Sequence, residues 1–157
     1  MDVLGNYKSA ISARSTDKDI LKKSQDGGII TTLFAYALEE GIIDGAIVAG
    51  PSDEPWRPEP MVATSKAELL AAAGTRYTIS PNLYLIKEAT RSYGLDRVGI
   101  VGVPCQIQAV RKAQLYPIGM RDVDDKIALA LGIYCMENLS YQALEAIVED
   151  HCNQKME

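Results

Sequence analysis

The sequence predicts an α/β fold, a mainly parallel sheet with helices packed on its faces, and three observations carry that expectation. Short, β-branched apolar runs alternate along the chain with stretches of helical spacing. The changeovers fall at glycines, prolines and cap-type residues. Parallel strands need crossover connections, and this alternation supplies them.

The elements follow in order. Ser24 to Glu40, SQDGGIITTLFAYALEE, opens with cap-type residues and two glycines. It then sets Ile29, Leu33, Tyr36 and Ala37 on one helical face, with Gly41 at the position after the helix. Asp44 to Gly50 is a short buried strand, and the prolines from Pro51 to Pro60 make a surface loop around Trp56. Met61 to Thr64 is a strand leading into a helix capped by Ser65, with Glu68 three residues on and Gly74 as its stop. Ser80, Pro81 and Gly94 repeat the device as N-cap, first helical residue and stop. The run around Val98, Ile100, Val101 and Val103 reads as a strand, and Ile107, Val110 and Arg111 continue it as a helix beginning at Pro104. A turn at Pro117–Gly119, a strand from Lys126 to Cys135, and an amphipathic helix capped by Ser140 with Leu144, Ile147 and Val148 on one face complete the chain.

With 157 residues, 47% of them hydrophobic, the chain is long enough for one α/β domain over residues 1–157. A net charge of -5 without a Lys/Arg cluster argues against nucleic acid as a partner. No apolar run approaches the roughly 20 residues of a transmembrane helix, and the first residues lack a secretory pattern, so the expected location is cytoplasmic. Three cysteines, an odd number at wide spacing, do not suggest a disulfide framework.

Cys105 and Cys135 each follow a predicted strand, so both belong at the carboxyl edge of the sheet, where two thiols can share a soft metal centre. Simple burial of a small hydrophobe is the ordinary alternative for each. Cys152, beside His151, receives no role, and His151 is poorly placed to activate Cys105 as a nucleophile. The Ser24-Gln25-Asp26-Gly27-Gly28 turn allows close backbone approach at a helix start, as an ordinary tight turn also would. GTRYTISPN, Gly74 to Asn82, gathers the hydroxyls of Thr75, Thr78 and Ser80, the Tyr77 ring and the Arg76 guanidinium ahead of a helix start, which suits phosphate and a stacked ring, or else a solvated surface.

Together, SQDGGIITTLFAYALEEGIIDGAIVAG, AAAGTRYTISPN, VGVPCQIQAVRKAQ and GIYCMEN make the sequence resemble the coenzyme F420-reducing hydrogenase beta subunit family over nearly its whole length. Related subunits serve formate dehydrogenases. The resemblance implies an FAD-binding iron–sulfur oxidoreductase subunit that passes electrons from a 4Fe-4S cluster through FAD, as hydride, to the deazaflavin coenzyme F420. It implies hydrogenase alpha and gamma subunits as partners. It assigns Ser24, Gln25, Asp26, Gly27 and Gly28, with Gly74, Thr75, Arg76, Tyr77 and Thr78, to the flavin site, and Cys105 and Cys135 to the cluster. Members of the family are longer, and a later cysteine pair has no counterpart here, so the resemblance implies the N-terminal part of a longer subunit with the remaining cluster ligands outside it. No catalytic acid or base is assigned, because flavin-type rings carry the hydride chemistry themselves. A non-catalytic module docking on a hydrogenase or formate dehydrogenase complex is the alternative reading, and a thiol enzyme using Cys105 a third.

Overall fold

A computed structural model describes residues 5–116, 125–136 and 138–155. The Pro117–Gly119 turn lies outside the described residues. The fold is α/β. Four strands, β1 (Gly45–Gly50), β2 (Glu59–Ala63), β3 (Val98–Gly102) and β4 (Ile127–Gly132), form a sheet in the order β2-β1-β3-β4. β1, β3 and β4 run parallel, whereas β2 pairs antiparallel on the edge beside β1. The edge position explains how Pro60 can sit inside a strand, since a missing N–H is tolerated where no neighbour needs it.

Period-two alternation divides the side chains of the sheet between two cores. Ile47, Val98, Ile100 and Ile127 join Ile86, Ala89 and Val110 on one face. Ala46, Val48 and Ala63 join Phe34, Ala37, Leu69 and Ala72 on the other. Ile127 and Ala130 both reach the first core although an odd number separates them, because the β3–β4 register slips at Val98/Gly99. The helices therefore sort by face: α2 (Ile29–Glu39) and α3 (Lys66–Ala72) cover one side, α4 (Ile86–Arg91) and α5 (Pro104–Leu115) the other.

Several local signals act as the sequence predicts. Ser65 and Glu68 form a complete capping box on α3. Gly41 takes φ 63° just after α2, where Ile42 N–H returns to Ala37 O at 2.8 Å. Ser140 Oγ accepts from Ala143 N–H at 3.2 Å at the start of α6 (Tyr141–Ala146), which ends in one π-helical turn, Ile147–His151.

Other boundaries move. Ser24 does not open α2. It closes α1 (Lys18–Lys23), a short helix capped by Asp17 that the sequence pattern does not announce. The buried face of α2 is Phe34, Ala35 and Ala37, while Leu33 and Tyr36 are exposed, because the helix meets the sheet along a stripe turned toward Phe34. Ser80 is not an N-cap: its hydroxyl donates to Asn82 Oδ1, and a 3-10 turn, Asn82–Leu85, intervenes before α4. β4 stops at Gly132, opposite the last residue of β3, so Cys135 lies beyond the strand. Of the predicted face on the last helix, Leu144 is buried and Ile147 is exposed.

Asp44 fastens the entry of β1 to that of β3. Its carboxylate accepts from Arg97 N–H at 2.9 Å and Asp96 N–H at 3.2 Å, and pairs with Arg97 Nη2 at 2.6 Å. The hydrogen bond from the Arg97 side chain holds the carboxyl below its ordinary value of 3.8. A depressed carboxyl contributes stability above its unfolded value, and that contribution disappears as pH falls through the folded one. In urea titrations between about pH 6 and about pH 2, Asp44→Asn should therefore lose less stability on acidification than the wild type does.

At the centre of the sheet, a Cβ on Gly99 would lie 2.8 Å from Phe34 Cε1 and 2.9 Å from Ile43 Cδ1. Gly99→Ala should cost about 1–3 kcal/mol by chemical denaturation, and less in a Phe34→Leu background, where the ring no longer occupies that space.

Candidate functional site

Parallel pairing sets the carboxyl ends of β1, β3 and β4 along one edge. The connection leaving β1 leads through β2 to α3, whereas the one leaving β3 enters α5 on the opposite face. Diverging connections at neighbouring parallel strands leave a crevice between them. A cavity of about 530 Å³ occupies that edge, with Val48 and Ala49 of β1 and Val101 and Gly102 of β3 on its floor. Its size is in the range of ligand and cofactor sites.

Both glycine-bearing turns reach this cavity. Every residue of 24–28 lines it, as does every residue of 74–78 except Tyr77. Tyr77 instead receives a 2.8 Å hydrogen bond from Gln25 Nε2, which joins the two turns across 52 residues of sequence. Gly28 takes φ 69° and Gly74 φ 115°, backbone states that L side chains rarely adopt. A Cβ on Gly28 would lie 2.7 Å from both Ile20 Cγ2 and Ser24 Oγ, so α1 packs against the turn where only hydrogen fits. Gly27 is tied from the other side, its carbonyl accepting from Ser15 N–H at 2.8 Å.

The N-terminus of α2 opens at this turn with no side-chain cap on it. Its first-turn residues Ile29, Ile30 and Thr31 line the cavity, and an uncapped helix start presents N–H groups and a partial positive charge to an anion. Arg76, half-buried, stands in the same wall. Near the outer side, Lys66 Nζ meets Asp17 Oδ2 at 2.7 Å, linking α3 to α1, and that hydrogen bond holds the Asp17 carboxyl below its ordinary range.

Thr78 is buried, and its hydroxyl donates to Trp56 O at 2.7 Å. The proline-rich loop is thereby anchored to the second glycine turn at Trp56, which has φ 61°. Thr78 also bridges in parallel to Leu139, next to Asn138 on the cavity wall.

Cys105 and Cys135 are exposed and are not in the cavity wall, but their close neighbours Val103, Gln106, Ile133 and Tyr134 are. Gly102 and Gly132 pair across β3 and β4, and each cysteine follows its glycine by three residues, so both thiols belong to the same edge. Ile133 N–H donates to Gly102 O at 3.0 Å, which carries the pairing one step toward Cys135. Cys152 follows the terminal π turn and is also exposed. No group of three or more Cys, His, Asp or Glu side chains suited to a metal occurs among the described residues.

Sequence reasoning missed Ala13 and Gln106 as cavity residues, and held Ser80 and Asn82 within the Gly74–Asn82 segment without assigning them to the site. Ala13 belongs to an extended N-terminal segment without periodic pattern. Ser80 looks like a helix cap, and Gln106 carried a signal only as the residue after Cys105.

Comparison with known proteins identifies the family. Residues 10–87 match the model for the N-terminal part of the coenzyme F420 hydrogenase/dehydrogenase beta subunit, and residues 95–157 match the model for its C terminus. The chain belongs to this family. It is 63% identical to the coenzyme F420 hydrogenase subunit beta of Methanosarcina barkeri over 98% of the chain and 53% of that protein. It is 57% identical to the subunit of the same name from Methanothermobacter thermautotrophicus, over 99% of the chain and 55% of the relative. A solved structure of the F420-reducing [NiFe] hydrogenase complex from Methanosarcina barkeri matches with a TM-score of 0.88 and 64% identity, over 91% of this chain and 49% of the other. The chain thus spans about half the length of these relatives. The two family segments meet between β2 and β3, and the β1–β3 ladder crosses that boundary. No helix among the described residues is long and apolar enough to cross a membrane.

The cost of the Gly28 contact can be separated from the cost of its backbone. Gly94 has φ 67° with nothing within 4 Å of a built Cβ, so Gly94→Ala suffers backbone strain alone. Gly28→Ala adds the collision with Ile20 and Ser24, and should lower the unfolding free energy measured in urea by about 1–3 kcal/mol more than Gly94→Ala does.

Proposed function

We propose that this chain is the flavin-holding portion of a coenzyme F420-reducing hydrogenase beta subunit, one α/β domain working in the cytoplasm beside hydrogenase alpha and gamma subunits. The observation that carries the reading is the cavity in which the SQDGG and GTRYT turns meet over the uncapped start of α2. FAD, when bound, supplies the two-electron chemistry that links one-electron transfer from a 4Fe-4S cluster to hydride transfer onto F420.

The residues present fit such a group. Gly27 and Gly28 bring bare backbone to the wall, the α2 amides suit a pyrophosphate, and Arg76 adds a guanidinium that can fork onto phosphate oxygens. Ile29, Ile30 and Val101, each partly exposed, give the wall an apolar surface for a ring system. Gln25 and Tyr77 hold the two turns together at the rim. Cys105 and Cys135 supply two thiolates of the four that a 4Fe-4S cluster takes, and the remaining ligands come from outside this chain.

Titration of the chain with FAD, followed by quenching of flavin fluorescence, tests the reading. Arg76→Leu should weaken binding about tenfold through loss of a charge-assisted contact, and Gly28→Val should weaken it at least as much. Unchanged affinity in both variants, each shown to be folded by its circular dichroism, would remove the assignment. For the cluster, Cys105→Ala and Cys135→Ala in the full-length subunit should each abolish iron–sulfur absorbance; its survival in both would discard these ligands.

A further inference from the structure

The turn from β3 into α5 carries Cys105, and its neighbour Gln106 is bonded at both ends. Gln106 Oε1 accepts from Val103 N–H at 3.1 Å, which caps α5 from within its first turn. Gln106 Nε2 donates to Ser80 O at 2.7 Å, outside the helix altogether. Ser80 in turn is held by Asn82: Asn82 N–H donates to Ser80 O at 2.9 Å, and Ser80 Oγ donates to Asn82 Oδ1 at 2.7 Å. Asn82, only 4% exposed, closes the circuit by donating from Nδ2 to Val101 O at 2.9 Å.

The circuit therefore leaves β3 at Val101, crosses to the segment just after the GTRYT turn, and returns to the β3–α5 turn at Val103. All five of its residues line the cavity. Gly102 lies between the two attachment points, and a Cβ there would stand 2.8 Å from Gln106 Oε1 and 3.0 Å from Gln106 Cβ. The Gly102 carbonyl meanwhile holds Ile133, two residues before Cys135.

We propose that Gln106 is a positioning residue that couples the cavity wall at Ser80–Asn82 to the turn bearing Cys105. It does so by hydrogen bonds alone, with no charge to be screened. Helix capping by itself asks only for the acceptor, Oε1. The donor, Nε2, serves the wall, and the two functions reside on different atoms of one side chain. The link to ligand binding rests on the flavin reading above, whereas the tie itself does not.

Gln106→Glu separates the two. A carboxylate still accepts from Val103 N–H, but it cannot donate to Ser80 O and places oxygen against oxygen there. Gln106→Leu removes both bonds, and Gly102→Ala displaces Gln106 without altering it. Amide hydrogen exchange of the full chain, read in overlapping peptides across 76–85 and 99–107, should accelerate about tenfold at the Asn82 amide, which donates to Ser80 O, in all three variants, including Gln106→Glu. A pure cap predicts that Gln106→Glu exchanges like the wild type. FAD affinity in the same variants should fall about tenfold. Wild-type exchange in Gln106→Glu would overturn the tie, and faster exchange with wild-type FAD affinity would overturn its coupling to the cavity. A wild-type chain that binds no FAD would instead overturn the flavin reading, and the exchange result would still decide the tie.

Discussion

The structure depends on the parallel pairing of β1, β3 and β4. That pairing sets the direction of every strand that ends at the cavity, and the helices α2, α4 and α5 then present their N-termini to the same edge. Because the connections from β1 and β3 leave toward opposite faces, no described residue fills the space above the two strand ends. The crevice is thus a consequence of topology before any side chain is chosen. What holds the pairing is an ordinary two-sided core, with Phe34 seated over Gly99 on one face and Ile100 packed among Ile86, Val110 and their neighbours on the other.

Topology alone would leave the loops around the crevice without partners for their backbone groups. The walls are instead closed by a few long-range bonds: Ser15 to Gly27, Gln25 to Tyr77, Thr78 to Trp56, and Gln106 to Ser80. Each joins segments distant in sequence, and Gln25, Thr78 and Gln106 each use a neutral side chain to do so. The bonds of Thr78 and Gln106 are partly buried, and neutral hydrogen bonds there are short-range and directional, whereas the Gln25–Tyr77 bond lies exposed at the rim. Ion pairs such as Asp44–Arg97 and Lys126–Asp96 lie at the opposite end of the sheet, Asp17–Lys66 joins α1 to α3, and Arg57–Glu54 lies within the proline-rich loop.

The fold class and its strands were legible because burial on two faces leaves an unmistakable record, the short apolar runs around Ile47, Ile100 and Ala130. Caps with local chemistry, such as Ser65 with Glu68, were legible for the same reason: cause and effect lie within four residues. Ser80 shows the limit. A serine before a proline looks the same in sequence whether its hydroxyl caps a helix or holds Asn82, and only the partner distant in sequence decides. The direction of the buried stripe on α2 was likewise set by where the sheet lay, beyond the reach of periodicity. Among the site residues, glycines at positive φ announced themselves in sequence. The extended segment at Ala13 and Ser15, which contributes backbone and small side chains, did not.

The composition of the cavity wall bears on the chemistry it can support. Among its described lining residues, Asp26, Arg76 and Tyr134 are the ionisable side chains, and no histidine, lysine, cysteine or glutamate is present. The described wall is rich instead in backbone amides and carboxamides. It is well suited to holding a group that brings its own reactivity, where the protein's task is to orient, exclude water and receive charge on fixed dipoles. The amides of α2, the glycine backbones and the carboxamides of Gln25, Asn82 and Gln106 supply such dipoles without changing charge with pH. The two exposed thiols, Cys105 and Cys135, lie outside this wall, each next in sequence to a residue that lines it, Gln106 and Tyr134. The proposed reading puts ring chemistry inside and electron entry at the edge, and that placement supports it.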